Sequence, residues 1–168
     1  MPERGGALDN GRVQKGATGQ VSVHIDAAPD VVYGVVSDVT RMGEWSPETI
    51  KCEWIDGATG PAVGAKFKGT NKRGIAKWST KPTVIAADGC EFAFDVGTDT
   101  RWTYRVEPDG DGTKLSESFE MLRDIRWYYA LAERWMMGVK DRQADLENGL
   151  AQTLQRVKQV VETDAPKS

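Results

Sequence analysis

Histidine is nearly absent from the chain, with His24 as its single instance. Metal centres built on several imidazoles are thereby excluded, and any Ser-His-Asp or Cys-His arrangement would have to run through that one residue. Cysteine is almost as scarce. Cys52 and Cys90 cannot make a four-thiolate zinc site, and a chain of 168 residues needs no disulfide framework, so both are read as free thiols. No segment approaches the run of about 18 apolar residues that a membrane span requires. Residues 1–19 carry five glycines and charges of both signs without an apolar stretch, which does not read as a signal peptide. They are expected to form a flexible N-terminal tail, with 164–168 as a C-terminal tail and 20–163 as one domain. Neither sign of charge dominates: 22 basic residues face 25 acidic ones, for a net charge of −3. A broad phosphate-neutralising surface is not expected, and nucleic acid is not an expected partner. No metal or nucleotide motif is present, so no cofactor is expected, and the location is read as cytoplasmic.

What the chain does have is alternation. From Gln20, Val21, Val23 and Ile25 fall on one side and Ser22, His24 and Asp26 on the other, the period of a half-buried strand, which turns His24 outward. Pro29 suits a first helical turn, and Val31, Val32, Val35 and Val36 are assigned to one face of a short helix. A second short helix or turn is expected from Asp38 to Pro47. Six extended segments follow between turn signals: Ile50–Ile55, Ala65–Asn71, Ile75–Ala87, Cys90–Val96, Arg101–Val106 and Thr113–Leu122. The turns between them are short, which favours antiparallel pairing in chain order. After Arg123 the spacing becomes helical. Trp127, Leu131 and Trp135, then Val139, Leu146, Leu150, Leu154, Val157 and Val161, form an apolar stripe, and a long helix is predicted over Lys140–Glu162. Gly149 beside that stripe implies close approach to the sheet or room for a ligand.

Several segments resemble a known group when read in order. They are Val21 to Tyr33 (VSVHIDAAPDVVY), Ser37-Asp38-Val39 to Glu44-Trp45-Ser46-Pro47, Gly64 to Asn71, Thr100 to Tyr104, and Gly112 to Ser118. Together they are similar to the polyketide cyclase/dehydrase branch of the START-like (Bet v 1-like, SRPBCC) superfamily, over about Gln20 to Glu162. The resemblance implies an α+β helix-grip fold: a curved antiparallel sheet of seven strands around a long C-terminal helix, with two short helices after the first strand. It also implies a deep, mostly apolar cavity that holds lipids, sterols, polyketides or aromatic molecules.

Alternation then gives an inward list. Phe92, Phe94 and Val96 share one strand face; Trp102, Tyr104 and Val106 share another; Leu115, Glu117, Phe119 and Met121 share a third. Phe67, Gly69 and Asn71 fall together, and Trp78 and Thr80 are assigned inward with Val84, although Lys77 to Pro82 is polar and Pro82 is awkward in a central strand. Glu117 is the unusual member. A carboxyl among apolar side chains has its pKa raised, making it a hydrogen-bond donor or a general acid, unless it pairs with an arginine or reaches solvent. Asn71 must find partners, with Trp78 or Glu117 as candidates. Trp45 is the candidate gate at the mouth, and Arg126-Trp127-Tyr128-Tyr129 a candidate lid; Arg123, Arg126 and Arg134 form a weaker membrane-facing alternative, diluted by Asp124 and Glu133. The ligand-binding set is therefore Trp45, Phe67, Asn71, Trp78, Phe92, Phe94, Trp102, Tyr104, Glu117, Phe119, Leu146 and Leu150.

The expected function is binding of a small hydrophobic or aromatic molecule, polyketide-like or lipid-like, by a monomer or homodimer. Two alternatives stand beside it. One is a polyketide cyclase or dehydratase in which Glu117 or Tyr104 moves protons. The other is a partner-binding or co-chaperone-type module that uses the outer face of the sheet.

Overall fold

Alternation makes β1 (Thr18–Ile25) a strand with one covered face, and the chain then turns so that Pro29 starts a helix without having to donate an N–H. A computed structural model describes residues 14–124 and 142–164. Helix α1 (Pro29–Ser37) buries Val32, Val35 and Val36, whereas Val31, expected on the same face, is 44% exposed. At 3.6 residues per turn Val31 lies about 90° from the centre of the buried stripe, which accounts for the difference. The 3-10 helix Val39–Glu44 follows, capped by Asp38, whose Oδ1 accepts from the Thr40 N–H at 3.1 Å and from its hydroxyl at 2.6 Å.

The remaining strands are β2 (Thr49–Ile55), β3 (Lys66–Arg73), β4 (Ala76–Thr80), β5 (Thr83–Ala87), β6 (Glu91–Val96), β7 (Thr100–Asp109) and β8 (Gly112–Met121). They form one antiparallel sheet in the order β1-β8-β7-β6-β5-β3-β2, with β4 also on β3. The strand expected over Ile75–Ala87 is thus broken, because Pro82 has no N–H to give to the ladder. Its carbonyl still accepts from the Phe67 N–H at 3.2 Å. Both halves keep one register against β3, Gly69↔Thr80 on one side of the break and Lys66↔Thr83 on the other. Seven strand positions therefore remain, one of them in two pieces. Pro108 and Asp109, expected in a turn, pair in the β7–β8 ladder, which ends at Asp109↔Gly112.

Pairing in chain order holds from β2 to β8, while β1, separated from β2 by the short helices, pairs with β8. The sheet curves as a half-barrel around helix α2 (Arg142–Asp164), which buries Leu146, Leu150, Leu154, Val157 and Val161. The candidate lid at 126–129, together with Leu131, Arg134, Trp135 and Val139, lies outside the described residues. Arg123, of the membrane-facing alternative, is described and pairs with Asp99. No helix among the described residues is long and apolar enough to cross a membrane.

Candidate functional site

Helix and sheet do not close on each other along their whole length. Between them lies a cavity of about 470 Å³. Two glycines keep it open. A Cβ at Gly149 on α2 would meet nothing within 4 Å, so of the two roles expected for this glycine the structure leaves room for a ligand and sets aside close approach to the sheet. On β3, a Cβ at Gly69 would stand 3.1 Å from Thr80 Oγ1 and 3.5 Å from Cys52 Sγ, narrowing the cavity where both line it.

Alternation delivers most of the expected wall. Phe67, Asn71, Trp78, Phe94, Trp102, Tyr104, Glu117, Leu146 and Leu150 all line the cavity. The rings of Phe67 and Phe94 meet edge to face at 5.1 Å, a favourable arrangement that holds this wall in one shape. Three residues of the expected set are elsewhere. Trp45, expected at the mouth, is completely buried, because the chain after the 3-10 helix folds it into the core. Phe92 packs in that same core with the valines of α1. Phe119 lies over Gly19, its cross-strand partner, where an added Cβ would stand 2.6 Å from the ring, and it packs with Met121, Leu146 and Leu150.

The inner wall carries the polar chemistry. Tyr104 and Glu117 are direct cross-strand partners on β7 and β8. Glu117 is only 4% exposed, and neither alternative expected for it occurs: among the described residues no arginine reaches it, and it does not reach solvent. Burial pushes its carboxyl up to about 8, and hydrogen bonding from Tyr104 lowers it only in part. At neutral pH the group is therefore mainly a carboxylic acid. Its Oε2 has no hydrogen-bond partner among the described residues, and neither has the buried Nε1 of Trp45. Buried polar atoms are normally paired, which makes an orphan on a cavity wall a functional candidate. Burial, reinforced by Glu117, keeps the Tyr104 phenol far above its usual range, so it can donate a hydrogen bond but does not serve as a base.

Asn71 finds neither Trp78 nor Glu117 as its partner. Its Oδ1 accepts from Thr49 Oγ1 at 2.8 Å, and Thr49 is braced in turn by Ser46 at 3.1 Å. That leaves its Nδ2 facing the cavity without a hydrogen bond among the described residues. Cys52 also lines the cavity, and burial pushes its thiol up to about 11, so it is a small apolar wall residue rather than a nucleophile.

The lining residues that reach solvent, Pro47, Asn148 and Gln152, mark the mouth. Arg73 spans it from sheet to helix, donating to Asp145 of α2 at 2.5 and 2.6 Å and to Glu48 at 3.0 Å. The sequence reading missed this cluster. Arg73 continues the inner face of Phe67, Gly69 and Asn71, which was a usable signal, but nothing in the sequence links position 73 to 145. His24 faces outward as expected, bonded to Asp109 at 2.9 Å and Asp26 at 3.1 Å, which hold its imidazole above its usual pKa. Among the described residues no group of three or more acidic, histidine or cysteine side chains is placed to hold a metal.

Residues 17–162 match the family described as polyketide cyclase / dehydrase and lipid transport. Among solved structures, a Polyketide_cyc-like protein from Corynebacterium glutamicum is 32% identical over 89% of this chain and 94% of its own, with a TM-score of 0.61. A major latex-like protein from Panax ginseng (16% identical, 86% of this chain and 98% of its own, TM-score 0.63) shares the fold. So does an AHSA1-like protein from Aeromonas hydrophila (14%, 90% and 99%, TM-score 0.61). No curated protein matches the sequence.

Proposed function

The chain belongs to the polyketide cyclase/dehydrase and lipid transport family, and from that premise we propose that it holds one small, flat, hydrophobic molecule bearing a carbonyl or similar acceptor oxygen. The observation that carries this reading is the buried, unpartnered Oε2 of Glu117 on a cavity wall it shares with Phe67, Phe94, Trp102, Leu146 and Leu150. A neutral carboxyl offers its proton to an acceptor, which removes the cost of leaving that group unpaired, a cost of about 1–3 kcal/mol. Phe67, Phe94, Trp102, Leu146 and Leu150 supply the apolar surface, worth about 25 cal/mol for each Å² of ligand removed from water before ordering costs. Trp78 offers a further ring, and Asn71 Nδ2 a second donor nearer the mouth.

A second reading, a cyclase or dehydratase, is favoured by one observation: a carboxyl near pH 8 is poised to give and take a proton at working pH. In it Glu117 protonates the ligand's oxygen, and Tyr104 holds the carboxyl in place. The test common to both is titration with prodan, a neutral naphthalene ketone whose emission reports on hydrogen bonding and polarity. Saturable one-to-one binding, weakened at least fivefold by Glu117→Leu and blocked by Gly149→Phe, is the expected result. Equal binding by wild type and Gly149→Phe would remove the cavity from the account. A family of poly-ketone substrates then separates the readings: turnover lost in Glu117→Gln with binding retained supports the enzyme.

A further inference from the structure

The outer face of the corner formed by β2, β3 and β4 carries a cluster of lysines. Alternation that turns Phe67, Gly69, Asn71 and Arg73 to the cavity turns Lys66, Lys68 and Lys72 outward on β3. Lys51 on β2 and Lys77 on β4 are exposed on the same side, and Lys81 is exposed just beyond β4. Two carboxylates offset these six lysines: Glu53 takes Lys51 at 2.9 Å and Asp56 lies 3.7 Å from Lys66. Lys72 and Lys77 are direct cross-strand partners, and among the described residues neither side chain makes an ion pair or hydrogen bond. Like charges placed opposite each other weaken a hairpin, and in a chain of net charge −3 such a cluster is not a by-product of overall basicity.

The apex of the same hairpin is apolar. Gly74, at φ +57°, makes the turn, and Ile75 beside it is 89% exposed, with Ile50 on neighbouring β2 54% exposed. We propose that this corner docks on an anionic lipid bilayer, with the lysines against the headgroups and Ile75 entering the interface. Cationic side chains near an anionic surface add attraction, and an apolar apex adds burial that a phosphodiester backbone does not offer; that apex favours a bilayer over a nucleic acid. The position of the hairpin gives docking a consequence. Arg73, two residues from Ile75, stands at the mouth, so the docked apex adjoins the rim of the cavity, while the lysines lie on the opposite face of the sheet from it. This goes beyond the binding reading and does not depend on what fills the cavity.

The test is co-sedimentation of the full chain with vesicles of phosphatidylcholine, with and without phosphatidylserine. Expected are binding to the anionic vesicles, little to the neutral ones, and a loss of at least tenfold in affinity for Lys72→Glu. That substitution places opposite charges at the Lys77 pair, so its melting temperature should equal or exceed wild type, and unfolding would not account for the loss. Ile75→Ser should weaken binding severalfold while leaving its salt dependence unchanged. No binding to anionic vesicles at low salt, or equal binding by wild type and a folded Lys72→Glu, would overturn the proposal. So would a DNA duplex that displaces the vesicles and binds Ile75→Ser as well as wild type.

Discussion

Replacing Glu117 by glutamine should make the protein more stable at neutral pH, against the usual expectation for a buried polar residue. The folded chain holds this carboxyl at about 8, whereas in the unfolded chain it titrates in the ordinary carboxylate range. A group raised on folding contributes its full stability below its unfolded pKa and loses it as pH rises toward the folded one. Between pH about 5 and about 8 the unfolded state has released this proton and the folded state has not, so wild-type stability falls by about 1.4 kcal/mol per pH unit on account of Glu117. At pH 7 the accumulated penalty is about 3 kcal/mol. Glutamine keeps the shape and a hydrogen-bond donor without a proton to lose. Urea unfolding of both proteins at pH 5, 6, 7 and 8 isolates the effect, because all other titrating groups cancel in the difference. The advantage of Glu117→Gln should grow steadily from pH 5 to 7 and level off above 8. Parallel stability curves, or a variant that loses ground as pH rises, would refute the buried neutral acid.

Three further outcomes follow from the same geometry. Gly149→Ala should raise stability by about 0.5–1 kcal/mol in thermal unfolding, since it relieves an interior helical glycine and its methyl group meets nothing. A native-state assay with a thiol reagent should count one reactive cysteine, the exposed Cys90, and a second only in denaturant, when Cys52 leaves its buried position. Arg73→Met should cost about 1 kcal/mol and speed amide hydrogen exchange in the first turns of α2, where Asp145 is held; unchanged exchange there would mean the ion pairs at the mouth do not brace the helix.

Most of the fold was legible because period two and period 3.6 are read directly from where apolar residues fall. The wall of the cavity followed from the same alternation: Phe94, Trp102, Tyr104 and Glu117 could be placed from strand parity alone. Parity says which face a side chain takes, not how far along the sheet the helix and its cavity reach. Phe92 and Phe119 therefore had the right face and the wrong place, since one is covered by α1 and the other by Gly19 and α2. Trp45 went wrong for a different reason. Irregular backbone after a 3-10 helix has no period from which burial can be read. The mouth was illegible because Arg73, Glu48 and Asp145 meet only through tertiary structure, and Asn71 found Thr49 because a bulge in β2 at Ile50 sets that register.

The most direct measurement of the central claim is an NMR map of prodan on isotopically labelled protein, read as contacts between naphthalene protons and protein side chains. Contacts with the ring of Trp102, the methyls of Leu146 and Leu150 and the α-protons of Gly149 are predicted, with a carbon shift at the Glu117 carboxyl when the ketone binds. Contacts confined to the outer surface, or no change at Glu117 on saturation, would contradict the account.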